Sequence, residues 1–166
     1  MEDQTQKLTI TQAGGGGNLG IAGNNYRVLV NGEQTGGAYA VIDMLVPDGG
    51  GPGPHSHAEI QESFYVVDGE VEFKTEALTY TAKKGDFVNI PLGGMVHCFK
   101  NKSGSLAHLI CTVTPAGMEK MFEEIGKPIG PNEFLPPVPL DEEGMKNMKA
   151  LGEKYGQQFY PPNYLD

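Results

Sequence analysis

Four side chains in this sequence have the types and the spacing to hold a metal ion. His55 and His57 stand two residues apart, so on an extended segment both imidazoles leave the same face. Glu62 follows at the start of the next apolar run, after a short stretch able to fold its carboxylate back toward them. His97 begins or precedes another run, behind the turn Pro91-Leu92-Gly93-Gly94. Three neutral imidazoles and one carboxylate form a mixed nitrogen and oxygen set. It suits borderline divalent ions such as Fe, Mn, Co, Ni, Cu or Zn and serves Ca or Mg poorly. The other candidates are weaker. Glu59 is a rival carboxylate to Glu62, His108 has no partner at ligand spacing, and Cys98 points away from His97 if that segment is extended. Phe64, Val66 and Phe99 share strand parity with Glu62 or His97, which fits either a lining of the interior around the metal or ordinary barrel packing.

Rigid elements must bring these residues together, and the chain between Tyr26 and Val113 reads as strand after strand. Runs rich in Val, Ile, Tyr and Phe predict strands at Tyr26–Val30, Ala38–Val46, Ser63–Val67, Glu70–Lys74, Leu78–Ala82, Phe87–Ile90, Val96–Lys100 and Leu106–Val113. Asp68-Gly69 is a two-residue hairpin signal, with further turns at Lys84-Gly85-Asp86 and Asn101–Ser105. With 24 glycines and 12 prolines, the composition suits many tight turns and disfavours long helices. The expected class is all-β, an antiparallel sandwich or barrel. At 166 residues the chain is the size of one domain.

The flanks differ in character. Residues 1–25 read as an N-terminal arm with a flexible loop at Gly14–Gly17, continued by Asn18 and Gly20; neither a P-loop nor a dinucleotide fingerprint is present there. Residues 26–115 are the expected barrel, and 116–166 a helical C-terminal cap. Thr114-Pro115 is predicted to start a helix that carries Met118, Met121, Phe122 and Ile125 on one face and stops at Gly126. Asp141 is predicted to cap a second helix, with Met145, Met148, Leu151 and Tyr155 as its packing stripe and Gly156 as its end.

Twelve basic residues against 21 acidic ones give a formal charge of −9, which repels phosphate backbones and anionic lipids, so neither nucleic acid nor membrane is expected as a partner. No apolar run approaches the roughly 20 residues of a membrane span, and the opening MEDQTQK lacks the features of a secretory signal. A cytoplasmic protein is expected. Cys98 and Cys111 form no CxxC pair and read as two reduced structural thiols.

The spacing around the histidines resembles the two metal-binding motifs of the cupin superfamily. The first runs Gly49, five residues, His55, one, His57, four, Glu62, six, Gly69. The second runs Gly85, five residues, Pro91, two, Gly94, two, His97, three, Asn101, one residue longer than the family pattern between the proline and Gly94. The resemblance implies a small jelly-roll barrel, with short C-terminal helices here, whose mouth holds a divalent transition metal on His55, His57, Glu62 and His97. Finer likenesses, at Pro52-Gly53-Pro54-His55, Gly69–Phe73, Gly85–Val88, Thr114–Phe122 and Lys154-Tyr155-Gly156, point to the bacterial quercetin 2,3-dioxygenase-like group. They imply an oxygenase that uses O2 on a small phenolic or enol-type substrate, with the helical tail as a lid. In this reading Glu62 also accepts the proton of a substrate hydroxyl. A non-catalytic small-molecule-binding protein and a metal-dependent isomerase or decarboxylase are the alternatives. Arg27 is the sole arginine, which weighs against anionic substrates. Cupin relatives are often dimers and an open barrel edge favours a covering partner, so a homodimer is expected.

Overall fold

The computed structural model describes residues 7–166; the first six residues of the predicted arm, and with them most of the opening stretch read for a secretory signal, lie outside the described residues. Two antiparallel sheets face each other in a jelly roll. The strands are β1 (Asn18–Ile21), β2 (Asn24–Val30), β3 (Ala40–Val46), β4 (His55–Ser56), β5 (Gln61–Asp68), β6 (Glu70–Thr75), β7 (Thr79–Lys83), β8 (Phe87–Ile90), β9 (His97–Lys100), β10 (Ala107–Thr114), β11 (Lys127–Ile129) and β12 (Gln158–Phe159). Two helices, α1 (Met118–Ile125) and α2 (Glu142–Tyr155), follow β10 and β11 respectively. One sheet has the order β11-β1-β2-β3-β10-β5-β8, the other β12-β4-β9-β6-β7.

The pleat sorts the side chains. On β3, Ala40, Ile42, Met44 and Val46 are buried while Val41, Asp43 and Leu45 are only partly covered; β10 buries Ala107, Leu109, Cys111 and Val113 in the same rhythm. From the facing sheet come Val71, Phe73 and Phe99. The rings of Phe64, Phe73 and Phe99 meet at centroid distances of 5.2 to 5.3 Å and fill the space between the layers. Asp68-Gly69 joins β5 to β6, with Gly69 at φ 76°; a Cβ there would lie 2.8 Å from the Leu106 carbonyl oxygen.

The eight predicted strands are all present, and four short ones were not foreseen. The stretch read as a loop continuing through Asn18 and Gly20 is β1, which turns at Ala22-Gly23 to pair with β2. The tail is not helical throughout: β11 joins β1 at one sheet edge, and β12 joins β4 in the other sheet. Strands of two to four residues carry too little alternation to be read alone, and exist because a neighbouring edge offers hydrogen bonds.

Thr114 ends β10 rather than capping α1. The cap is Gly117, whose amide donates to the Glu119 carboxylate at 2.6 Å; Glu119 also accepts from the Gly32 amide at 2.9 Å, tying α1 to the β2–β3 connection. Met118, Met121 and Phe122 are buried as expected, whereas Ile125 is exposed. On α2 the Asp141 cap accepts from the Gly144 amide at 2.8 Å, and Gly156 ends the helix at φ 67°. Leu151 packs in the core with Met148 and Tyr155 against it, but Met145, at 56% exposure, is outside the stripe because only the last half of α2 touches the barrel. Among the described residues no helix is long and apolar enough to cross a membrane.

Candidate metal centre

His55, His57, Glu62 and His97 converge, as predicted, with one ligand atom from each lying within 4.8 Å of the others. Their elements explain this. His55 on β4 is the register partner of His97 on β9, so the two imidazoles share a face, with ring centroids 4.3 Å apart. His57 follows just beyond β4 on the same parity, and Glu62 is the second residue of β5, buried on its inward side. Gly51 lets the chain enter β4 tightly against β9. At φ 124° its missing Cβ would sit 2.1 Å from the Phe99 carbonyl oxygen. The additional residue after Pro91 is absorbed by Gly93 and Gly94, both with positive φ, and the Gly93 amide donates to the Ala58 carbonyl at 2.9 Å. That bond folds the loop over the chain between His57 and Glu62, and His97 stays in register.

Each imidazole is held by its other nitrogen. Nδ1 donates to a main-chain carbonyl in all three: His55 to Gly53 at 2.9 Å, His57 to Ile60 at 2.8 Å, and His97 to Met95 at 2.9 Å. With Nδ1 so occupied, Nε2 is the nitrogen turned toward the centre, the tautomer and orientation a metal ligand requires. The Nε2 atoms of His57 and His97 lie 3.0 and 3.3 Å from Glu62 Oε2. The donor set therefore fits a divalent transition ion.

Sequence reasoning missed one contact. The Cys111 thiol, read there as merely structural, donates to Glu62 Oε1 at 3.3 Å. The available signal was parity: Cys111 pairs with Phe64 and Val113 with Glu62, so Cys111 stands diagonally across from the carboxylate on the same inner face.

Burial would raise the Glu62 pKa, but hydrogen bonds from His57 and His97 outweigh it and hold the carboxyl well below its usual range. His55 is pushed down to about 4 by burial, reinforced by His97. At His57 burial acts downward, yet the hydrogen bond to Glu62 and its charge leave the imidazole pKa raised. Burial pushes the Cys111 thiol well up, and the Glu62 charge adds to it, so the thiol is a donor and not a thiolate ligand.

The remaining candidates fall elsewhere. Glu59 is exposed, and Cys98 lies half-buried with its neighbours Lys74 and Asp166. His108 pairs with Asp43 on the outer side of the sheet, where Arg27 also binds Asp43 at 2.8 Å. Phe64, Val66 and Phe99 are buried inside the barrel as expected. β12 lies along β4, with Phe159 opposite His55 and the Tyr160 amide donating to the Pro54 carbonyl at 3.0 Å.

Residues 42–113 match the family model described as Cupin domain. That match, the two-sheet barrel and the histidine cluster all accord with the cupin fold that the sequence resemblance implies. Over 147 residues it is 24% identical to the quercetin 2,3-dioxygenase of Bacillus subtilis (strain 168), an alignment that covers 87% of this chain and 43% of the relative. The chain thus spans less than half the length of that relative. Among solved structures it is similar to ectoine synthase from P. lautus, with TM-score 0.54 and 21% identity over 74% of this chain and 83% of the other. It is also similar to a predicted oxalate decarboxylase from Thermotoga maritima, with TM-score 0.53 and 20% identity over 64% and 93%. At those identities the likeness shows the fold, which hosts several chemistries.

Proposed function

We propose that this protein is a metal-dependent oxygenase acting with O2 on a small phenolic or enol-type substrate. The observation that carries the reading is the convergence of three imidazoles, each locked through Nδ1, on the Glu62 carboxylate. A divalent transition ion held by His55, His57, Glu62 and His97 would supply a Lewis-acidic, redox-capable centre with positions left for exogenous ligands. The likeness to a quercetin dioxygenase favours oxygenation over the other reactions this fold supports.

The chain's own residues supply the proton chemistry. Glu62 is ionised at neutral pH, so its carboxylate accepts the proton of a substrate hydroxyl while the Cys111 thiol holds its Oε1. β12 pairs with the strand that carries His55 and closes that edge of the sheet. The only guanidinium is engaged by Asp43 on the outer side of the sheet, so it does not serve an anionic substrate at the metal.

The test is oxygen uptake by metal-loaded protein with a panel of flavonols, catechols and β-diketones. Uptake is expected with at least one of them and is lost in Glu62→Gln while that variant keeps part of its metal. Silence across the panel overturns the oxygenase reading, and full activity in Glu62→Gln removes the role given to that residue.

A further inference from the structure

One polar side chain beside the metal-binding strand has no partner. Gln157, immediately before β12, is only 7% exposed, and its Nε2 has no hydrogen-bond partner among the described residues. Buried amide donors in folded proteins are nearly always paired, and leaving one unpaired opposes folding.

The strand register says where this amide lies. Phe159 is opposite His55 and Gln158 opposite Ser56, and register partners in an antiparallel pair share a face. The alternation is visible on the far face, where the Tyr160 and Ser56 hydroxyls meet at 3.2 Å. Continued one residue beyond the end of β12, the same register sets Gln157 across from His57, on the imidazole face of the sheet. The backbone there is fixed. Gly156 at φ 67° turns the chain out of α2, the Gln157 amide donates to the Gly152 carbonyl at 2.8 Å, and a Cβ on Gly152 would lie 2.6 Å from the Gln157 carbonyl oxygen.

We infer that Gln157 is a specificity-determining residue of the metal site: its Nε2 donates to an acceptor oxygen of the bound ligand. A neutral donor in a site without arginine selects a carbonyl, enolate or phenolate oxygen and has no charge with which to hold a dianion. The substrate class rests on the oxygenase reading above, whereas the hydrogen bond itself needs only a ligand at the metal.

The test uses Co(II)-loaded full chain titrated anaerobically with 3-hydroxyflavone, followed by the flavone absorbance, beside azide as a ligand that needs the metal alone. In Gln157→Leu the expected result is unchanged metal content, a Tm equal to or above that of the natural sequence, unchanged azide affinity, and 3-hydroxyflavone binding weakened roughly tenfold. Gln157→Glu, which replaces the donor by an acceptor, is expected to weaken the flavone at least as much. Equal flavone affinity in Gln157→Leu and the natural sequence, no flavone binding by either, or a Tm lowered by several degrees in Gln157→Leu overturns the inference. Gln157-dependent binding without oxygen uptake instead refutes the oxygenase reading and leaves this one standing.

Discussion

The Sγ of Cys111 lies 3.3 Å from Oε1 of Glu62, and both side chains are buried inside the barrel. Among the described residues the thiol is the only donor in contact with the carboxylate oxygen that His57 and His97 do not reach. Groups that orient a metal ligand in this way typically influence affinity by about 10–100-fold. Cys111→Ala is therefore expected to weaken metal binding by about tenfold, measured by competition with a chelator. Cys111→Ser, which restores a donor, is expected to recover most of that loss. Equal affinities in all three proteins would show that the thiol only fills space.

Metal binding should be linked to pH through His57. His55, held to about 4 by burial, is neutral at pH 7 and ready to bind. His57 is raised above the ordinary histidine value, so near neutrality part of the population carries a proton on the nitrogen the ion must take. Affinity is expected to rise as pH increases through and above 6.5 and to level off once His57 is deprotonated. Calorimetry in buffers of different ionisation enthalpy should show proton release at pH 7. An affinity independent of pH between about 6 and 8, with no proton released, would contradict this.

Gly51 has no freedom to vary. Any side chain there meets the Phe99 carbonyl at 2.1 Å, and φ 124° is a conformation other residues adopt only with strain of about 1–3 kcal/mol. Gly51→Ala should lower stability by more than about 2 kcal/mol and reduce metal content, because β4 is displaced from β9 and His55 from His97. Thermal unfolding and elemental analysis check both halves; a variant that melts and loads like the natural sequence would show that the approach of these strands relaxes freely.

Alternation along β3, β5, β6 and β10, with Asp68-Gly69 between β5 and β6, made the barrel legible because each of those strands buries one face along six to eight residues. The cluster of His55, His57, Glu62 and His97 was legible because a two-residue spacing places His55 and His57 on one side of an extended chain. Cys111 and Gln157 were not. Each depends on a partner far along the chain: Cys111 reaches Glu62 across the β5–β10 pairing, and the place of Gln157 follows from the two-residue strand β12 finding the β4 edge. The misplaced start of α1 has the same origin. Thr114-Pro115 has the composition of a helix start, but Thr114 is already committed to pairing with Gln61 on β5.

The account depends on one ion being held by His55, His57, Glu62 and His97. The direct measurement is elemental analysis of the purified chain after incubation with each of Fe, Mn, Co, Ni, Cu and Zn, with X-ray absorption on the best-loaded form. We predict about one tightly held ion per chain, an imidazole-rich first shell, and loss of the ion when His55 and His97 are both replaced by alanine. Absence of stoichiometric binding with all six ions, or equal loading of that double variant, would contradict it.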